Sequence, residues 1–346
     1  MTKVSAQIAR ELRNQGGTVY AVSRPSGISE AKWTLRKHAF IFRKLLRLRT
    51  GTPVYLVSES GRGLWATMLA AGILRLKKAP LFLHHHTYAH CRRRDGRVAA
   101  VDKLILDPGG HILLSEMMAT DFVANYGQSR EVMVLSNAFA VANQLTQDLG
   151  DVPALPSRTM KETAGGRTLV VGFVGRVSQV KGAELLHRVA DAVSDTQIEF
   201  RIVGPISDQA GQDFERAART SELNVRFLGE LSGESLWTAV ADFDYLLMPS
   251  RYANEAQPMV IWEAAAVGVP TIATDRGAMR ELVDGLGGIS TTEDAFTDVA
   301  ANELRSSSAS MDMPRPEDDG IRLLFETKTE ESMGQLEELF AHMASV

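Results

Sequence analysis

Two carboxylates, Glu255 and Glu263, stand eight residues apart in a segment that opens at Pro249 and closes at Gly268 and Pro270. Carboxylates accept hydrogen bonds from pairs of hydroxyls, which suits them to sugars and to ribose. The apolar run Tyr245–Met248 predicts a buried strand ending at Pro249, with a polar loop after it, and Pro258 suits the first turn of a helix. If all eight residues were helical the carboxylates would be about 12 Å apart. Each could then meet one end of an extended ligand, with helix N–H groups between them for phosphate. The plainer alternative is a helix-start carboxylate plus one solvated glutamate. Against it, Glu263 lies between Met259–Trp262 and Ala264–Val267, an apolar stretch where an unpaired charge is costly.

A second cluster, Gly172 to Gly175 and Arg176, ends another predicted strand, and Lys181 and Gly182 open the next helix. Glycine at a strand end lets a ligand approach the backbone, and a helix N-terminus offers N–H groups and partial positive charge to an anion. Arg176 and Lys181 add two full charges at the same edge, as a diphosphate requires. The alternative is a tight turn with solvated basic residues. The spacing is neither the dinucleotide Gly-x-Gly-x-x-Gly nor a phosphate loop ending Gly-Lys-Ser/Thr.

Alternating strands and helices must position these groups. Strands are predicted at Thr18–Val22, Val54–Val57, Pro80–Leu83, His111–Leu114 and Glu131–Leu135, with helices at Ser29–Arg49 and Gly63–Leu76. Alternation lapses in a Pro- and Gly-containing stretch and resumes with strands at Leu169–Val174, Glu199–Val203, Val225–Leu228, Tyr245–Met248 and Thr271–Ala273. Helices fill the gaps at Ala183–Val193, Gln209–Arg219, Glu234–Ala241 and Pro258–Ala266. The pattern predicts an α/β protein of two Rossmann-like, doubly wound parallel-sheet domains facing across a cleft. The expected bounds are 1–140, a linker at 141–167, 168–320, and a terminal helix within 321–346 (Thr329–Met343) that packs back on the first domain. A polar loop is expected at Ser306–Asp319.

With 346 residues, 45% hydrophobic and 23% charged, two domains are the default. No apolar run is long enough to span a membrane, and the polar, helical start lacks the apolar core of a secretion signal. The single cysteine, Cys91, excludes an internal disulfide framework and a Cys-rich zinc site and fits a reducing cytoplasm. The net charge of −4 conceals an imbalance: residues 1–130 carry 21 Lys+Arg against 8 Asp+Glu, and the remainder 17 against 34.

The segment from Val170 to Val283 resembles the donor-binding domain of the retaining glycosyltransferases of family four, which have the two-Rossmann GT-B fold. The resemblance rests on Gly175-Arg176, Lys181-Gly182, Glu255, Glu263-Ala264, Gly268 and Pro270, with Phe227 to Gly229 similar to the strand end beside the base. It implies that Arg176 and Lys181 stabilise a departing nucleoside diphosphate in place of a metal ion. It also implies that Glu255 holds the transferred sugar and Glu263 the ribose. Pro258 stands where the family often has glycine and removes one N–H, so Met259 and Val260 must supply the helix-end donors. Asp242 and Asp244 invite a metal-binding reading, but they precede their strand rather than follow it, so capping the preceding helix is the better expectation.

In the basic half, His84, His85 and His86 follow a strand. A histidine there suits a sugar contact or proton carrier, and the resemblance supports one; His86 is the first choice and His85 the second. The alternative is two exposed loop rings and one packed ring. Ser29–Arg49 sets Trp33, Phe40, Ile41, Leu45 and Leu48 among seven Lys/Arg, a pattern that either lies on an anionic membrane or packs its apolar side inward. Family members open with a strand and glycine loop that this sequence lacks at its start, so either a truncated N-terminus or neighbouring strands paired across the gap, and in both cases a less stable first domain, are expected. The sequence thus predicts a cytoplasmic, metal-independent glycosyltransferase using a nucleotide-diphosphate sugar, with no cofactor. Its acceptor would be a glycan or lipid-linked sugar, with peripheral contact at the inner membrane face and no nucleic acid partner. Alternatives are an impaired nucleotide-binding homologue, or a GT-B sugar-nucleotide epimerase or phosphorylase.

Overall fold

The computed structural model describes residues 3–20, 25, 27–150, 162–163, 166–220, 223–309 and 319–345. The chain divides into two compact units, Met1–Ala140 with Ser332–Val346, and Val141–Glu331.

The first unit holds a parallel sheet of β1 (Val54–Val57), β2 (Leu81–His84), β3 (Gly110–Leu113) and β4 (Glu131–Val134), ordered as in the chain. Every residue of β2 and β3 is buried, as expected of central parallel strands covered on both faces. Helices Glu30–Leu46 and Leu64–Leu76 cover one core cluster, with Leu45, Ala70, Ala71 and Leu74 packed against Leu81 and Leu83. Thr18–Tyr20, expected to begin a strand, pair with nothing in the sheet, and residues 21–22 of that strand lie outside the described residues.

The second unit holds six parallel strands: β7 (Leu169–Val174), β8 (Ile198–Val203), β9 (Val225–Gly229), β10 (Tyr245–Met248), β11 (Thr271–Thr274) and β12 (Ile289–Thr291). A two-stranded ribbon, β5 (Glu162–Thr163) with β6 (Gly166–Arg167), precedes it. The order β12-β11-β10-β7-β8-β9 reverses direction between β7 and β10. In a doubly wound sheet that reversal opens a crevice beyond the carboxyl ends of those two strands, where ligands bind.

Three expected boundaries shift. Residues 141–149, read as linker, belong to the helix Ala138–Leu149: the apolar period of Phe139, Val141 and Leu145 persists until Gly150, and Asp148 Oδ2 accepts from Trp237 Nε1 at 3.0 Å. Ser306–Ala309 are the end of the helix Phe296–Ala309 rather than loop, and residues 310–318 of that loop lie outside the described residues. The terminal helix runs over Asp319–Ala344 and starts ten residues before the expected Thr329, with its early part anchored by Phe325, whose ring meets Trp262. Its later part belongs to the first unit, where Ser332 Oγ donates to Ser136 O at 2.7 Å.

Candidate active site

Predicted ligand residues from two distant stretches of sequence meet beyond the carboxyl ends of β7 and β10. β7 ends at Val174, and Gly175 and the exposed Arg176 follow. The chain then turns through Ser178, whose carbonyl accepts from Ala183 N at 3.0 Å, and Gly182 starts the helix Ala183–Ala192. Gly182 has φ +82, and a Cβ there would stand 2.0 Å from Pro249 O, so only glycine lets this turn lie against the loop after β10. Arg251 N closes the same junction by donating to Val180 O at 2.9 Å.

That junction brings Lys181 to Glu255. Their side chains form an ion pair, and Ser250 Oγ donates to the same carboxylate oxygen at 2.7 Å. The Glu255 side chain is only 10% exposed, against 30% for Lys181, so the ammonium reaches solvent while the carboxylate sits beneath it. Ala278 N donates to the Glu255 carbonyl at 3.0 Å, and Gly277, with φ +59, passes so close that a Cβ would lie 1.9 Å from that oxygen. Thr274 Oγ1, at the end of β11, donates to Ser250 O at 2.5 Å.

Charge pairing stiffens this loop further. Arg251 reaches Glu184 in the first turn of the helix Ala183–Ala192 and Glu293 after β12, each at 2.7 Å, and Arg276 also pairs with Glu293. Hydrogen bonds from Arg251 and Arg276 hold the Glu293 carboxyl below the usual carboxylate range. None of Ser250, Arg251, Gly277 and Glu293 was a candidate site residue from sequence. Ser250 and Arg251 directly follow a legible strand end, whereas Glu293 carries no local signal.

The helix Met259–Ala266 follows Pro258, which occupies its N-cap and brings no N–H, and Met259 and Val260 form its first turn. Glu263 is buried on this helix, as are all residues from Val260 to Ala266. Only the second half of the Glu255–Glu263 spacing is helical, so the separation computed for a continuous helix does not apply. Gly229 closes β9 at the sheet's edge, and its carbonyl accepts from Gly204 N at 2.7 Å. Asp244 is occupied at the opposite end of the strand, where its Oδ2 accepts from Val170 N at 2.5 Å, and Asp242 pairs with Arg201 at 3.1 Å.

In the first unit the structure separates the two histidine candidates. His85 is fully buried with both ring nitrogens engaged, Nδ1 with His90 Nδ1 and Nε2 with His111 Nδ1, each at 2.8 Å. No ring nitrogen is left for a sugar, so the expectation for His85 is corrected: it is a structural ring. His86 is half-buried, its ring tilted 43° against that of His84 with centroids 4.1 Å apart, and among the described residues its Nε2 has no hydrogen-bond partner. Burial lowers the pKa of His86 and of His90 to about 4. From His85 the chain of bonds continues through His111 to Asp102 Oδ1 at 3.2 Å, and Ser129 Oγ donates to Asp102 Oδ2 at 2.5 Å.

Among the described residues, no group of three or more His, Cys, Asp or Glu is placed to hold a metal ion, and no helix is long and apolar enough to cross a membrane.

The family model described as "Glycosyl transferases group 1" matches residues 168–305. A D-inositol 3-phosphate glycosyltransferase of Corynebacterium jeikeium is 34% identical over 128 residues, 34% of this chain and 30% of that protein. A GDP-mannose-dependent alpha-mannosyltransferase of Mycolicibacterium smegmatis is 33% identical over 136 residues, 39% of this chain and 33% of that protein. The matches thus span about a third of the length of these curated relatives. The crystal structure of Anabaena HepE in complex with UDP-glucose aligns over 97% of this chain and 88% of that one, with a TM-score of 0.63 at 18% identity. That likeness extends to both parallel sheets and shows a shared fold. The chain therefore has the GT-B fold, and its residues 168–305 match the glycosyl transferases group 1 family.

Proposed function

We propose that the protein is a retaining glycosyltransferase that moves a sugar from a nucleoside diphosphate donor to a glycan or lipid-linked acceptor. The observation that carries this reading is the pairing of Lys181 with Glu255 beyond β7 and β10. One cation and one carboxylate at the crevice suit the two halves of a sugar diphosphate. The likeness to GDP-mannose-dependent and inositol phosphate glycosyltransferases supports it.

In this reading negative charge grows on the diphosphate as the sugar leaves. Fixed cations and helix N–H groups at that point stabilise the transition state more than the bound donor. Arg176 and Lys181 supply the cations, and Met259 and Val260 the helix-end amides. Glu255 is released from Lys181 to accept the sugar's hydroxyls, and Glu263 takes the ribose. His86 serves the acceptor side. With two side-chain cations on the diphosphate, transfer proceeds without a metal ion. The basic first half suits an acceptor presented at the cytoplasmic face of an anionic membrane.

A thermal-shift screen of UDP-, GDP- and ADP-sugars, with and without chelator, tests the reading, since stabilisation rises with ligand concentration over its dissociation constant. One nucleotide series should raise the melting temperature equally in both conditions and support transfer. Stabilisation by none, or only with added divalent metal, overturns it.

A further inference from the structure

The outer surface of the first unit carries an apolar stripe bordered by cations that the donor site does not use. On the helix Leu64–Leu76, the residues facing the core are Leu64, Thr67, Ala70, Ala71 and Leu74. Trp65, Leu69 and Leu76 are 60%, 54% and 88% exposed. Their spacing of four and then seven residues, with Gly72 between, places them in one line along the helix. On the adjoining helix Glu30–Leu46, Leu35 and Leu46 are 73% and 61% exposed. Five of the largest exposed side chains among the described residues thus lie on two neighbouring helices. Single exposed leucines need no explanation, but a contiguous set does.

The two helices are tied together at their C-terminal ends. Lys77 Nζ donates to Leu46 O at 2.7 Å and to Leu48 O at 3.1 Å, so Leu46 and Leu76 are at the same end of the pair. Both helices bury their inner faces in one core cluster, which turns their outer faces to a common side. Arg47, Arg49, Arg75 and Lys78 are exposed around that end. Residues 30–78 hold eleven Lys/Arg and two acidic residues, Glu30 and Glu59, and Glu59 is paired with Lys37. Leucine and tryptophan side chains beside a cluster of exposed cations, in a segment with a large excess of basic residues, match a bilayer whose headgroups are anionic.

We propose that the outer face of the helices Glu30–Leu46 and Leu64–Leu76 docks on an anionic lipid bilayer. Trp65, Leu69 and Leu76 enter the headgroup layer, and the cations at the shared helix end engage lipid phosphates. Sequence pattern pointed only to the first helix; the second, which carries the longer apolar line, emerges from the packing. The proposal adds a specific surface to the acceptor side of the transferase reading, yet it is measured without donor or acceptor.

Co-sedimentation with vesicles of phosphatidylcholine alone, and of equal parts phosphatidylcholine and phosphatidylglycerol, is the test. The protein should sediment with the mixed vesicles, remain in solution with the neutral ones, and be released by salt. The double variant Leu69→Gln/Leu76→Gln and the triple variant Arg47→Gln/Arg49→Gln/Lys78→Gln should each weaken vesicle binding about tenfold or more while nucleoside diphosphate binding is retained. No sedimentation, or equal sedimentation of both variants, overturns the proposal. So does conversion of a dimer to a monomer by the leucine variant with vesicle binding unchanged, which would assign the face to a second copy of the chain. Vesicle binding without nucleoside diphosphate binding would instead sink the transferase reading and leave this surface standing.

Discussion

Glu255 is a nearly buried carboxylate whose charge is balanced by one ammonium and one hydroxyl, from Lys181 and Ser250. Removing one partner of such a pair strands the other charge, and the cost exceeds the net worth of the pair. Lys181→Met should therefore destabilise the second unit by about 2 kcal/mol, below the value for a fully enclosed pair because the ammonium touches solvent. Adding Glu255→Gln removes the stranded charge and should restore more than half of that loss, although transfer stays abolished. Urea denaturation of the two single variants and the double variant reads this directly. A silent Lys181→Met, or a double variant that sums the two single losses, would mean that the pair does not hold the apo site together. In the proposed function, the same pairing would let Lys181 exchange one oxygen anion for another without an uncompensated charge at either step.

At the scale of elements, the buried histidines of β2 and β3 make the first sheet sensitive to acid. Burial, reinforced by neighbouring rings, keeps His84 and His85 well below the usual 6.5, and burial lowers His111 despite the carboxylate of Asp102. Asp102, though pushed up by burial, is held below its ordinary value by hydrogen bonds from His111 and Ser129. With Asp102 ionised and the rings neutral, His111 donates from Nε2, His85 from Nε2 and His90 from Nδ1, which fixes every tautomer in the chain. A histidine depressed on folding binds its proton more readily in the unfolded chain. Its stabilising contribution is complete above about pH 6.5 and is lost as pH falls toward the folded value, about 4 for His86 and His90. The slope is about 1.4 kcal/mol per pH unit for each ring. Hydrogen-exchange protection of β2 and β3 should fall between pH 6.5 and 4 while β7 and β10 hold theirs, because seven of the eight histidines lie in the first unit. Parallel loss in both sheets would contradict the histidine account.

Elements also show what a single sequence discloses. β7 and β10 have the bounds their apolar runs predict, since strands packed on both faces read as unbroken runs between polar residues, and the half-buried edge strand β1 keeps its predicted bounds because its four residues are all apolar or aromatic. β12 carries no such signal because two of its three residues, Ser290 and Thr291, are polar. The helix Ala138–Leu149 was masked by the Gly and Pro that follow it. The start of the terminal helix was masked by the polar residues between Phe325 and Leu336, which interrupt its apolar period. Arg176, Lys181, Glu255 and Glu263 could be picked out as candidates because each sits at a fixed offset from a strand end or helix start, and the structure pairs Lys181 with Glu255. The clasp of Arg251 on Glu293 spans 42 residues and exists only because β10, β11 and β12 are neighbours in the sheet. His85 misled for a related reason: it follows a strand as a ligand residue would, but His90 and His111 come from other elements to enclose it.

Across the whole molecule, charge is divided against the expected ligand. Residues 131–346, which include the stretch that matches the glycosyl transferases group 1 family, carry 17 Lys+Arg against 34 Asp+Glu, so their long-range field repels a nucleoside diphosphate. Affinity must then come from cations placed within contact distance, and charge-assisted hydrogen bonds there are worth about 1.5–3 kcal/mol each. Titration calorimetry of the matching nucleoside diphosphate and of its unphosphorylated nucleoside, against the parent protein and Arg176→Ala, Lys181→Ala and Glu263→Gln, separates these contributions. The account predicts that the first two changes weaken the diphosphate about tenfold or more and leave the nucleoside unaffected, while Glu263→Gln weakens both ligands alike. Diphosphate affinity unchanged by the loss of Arg176 and of Lys181 would contradict it.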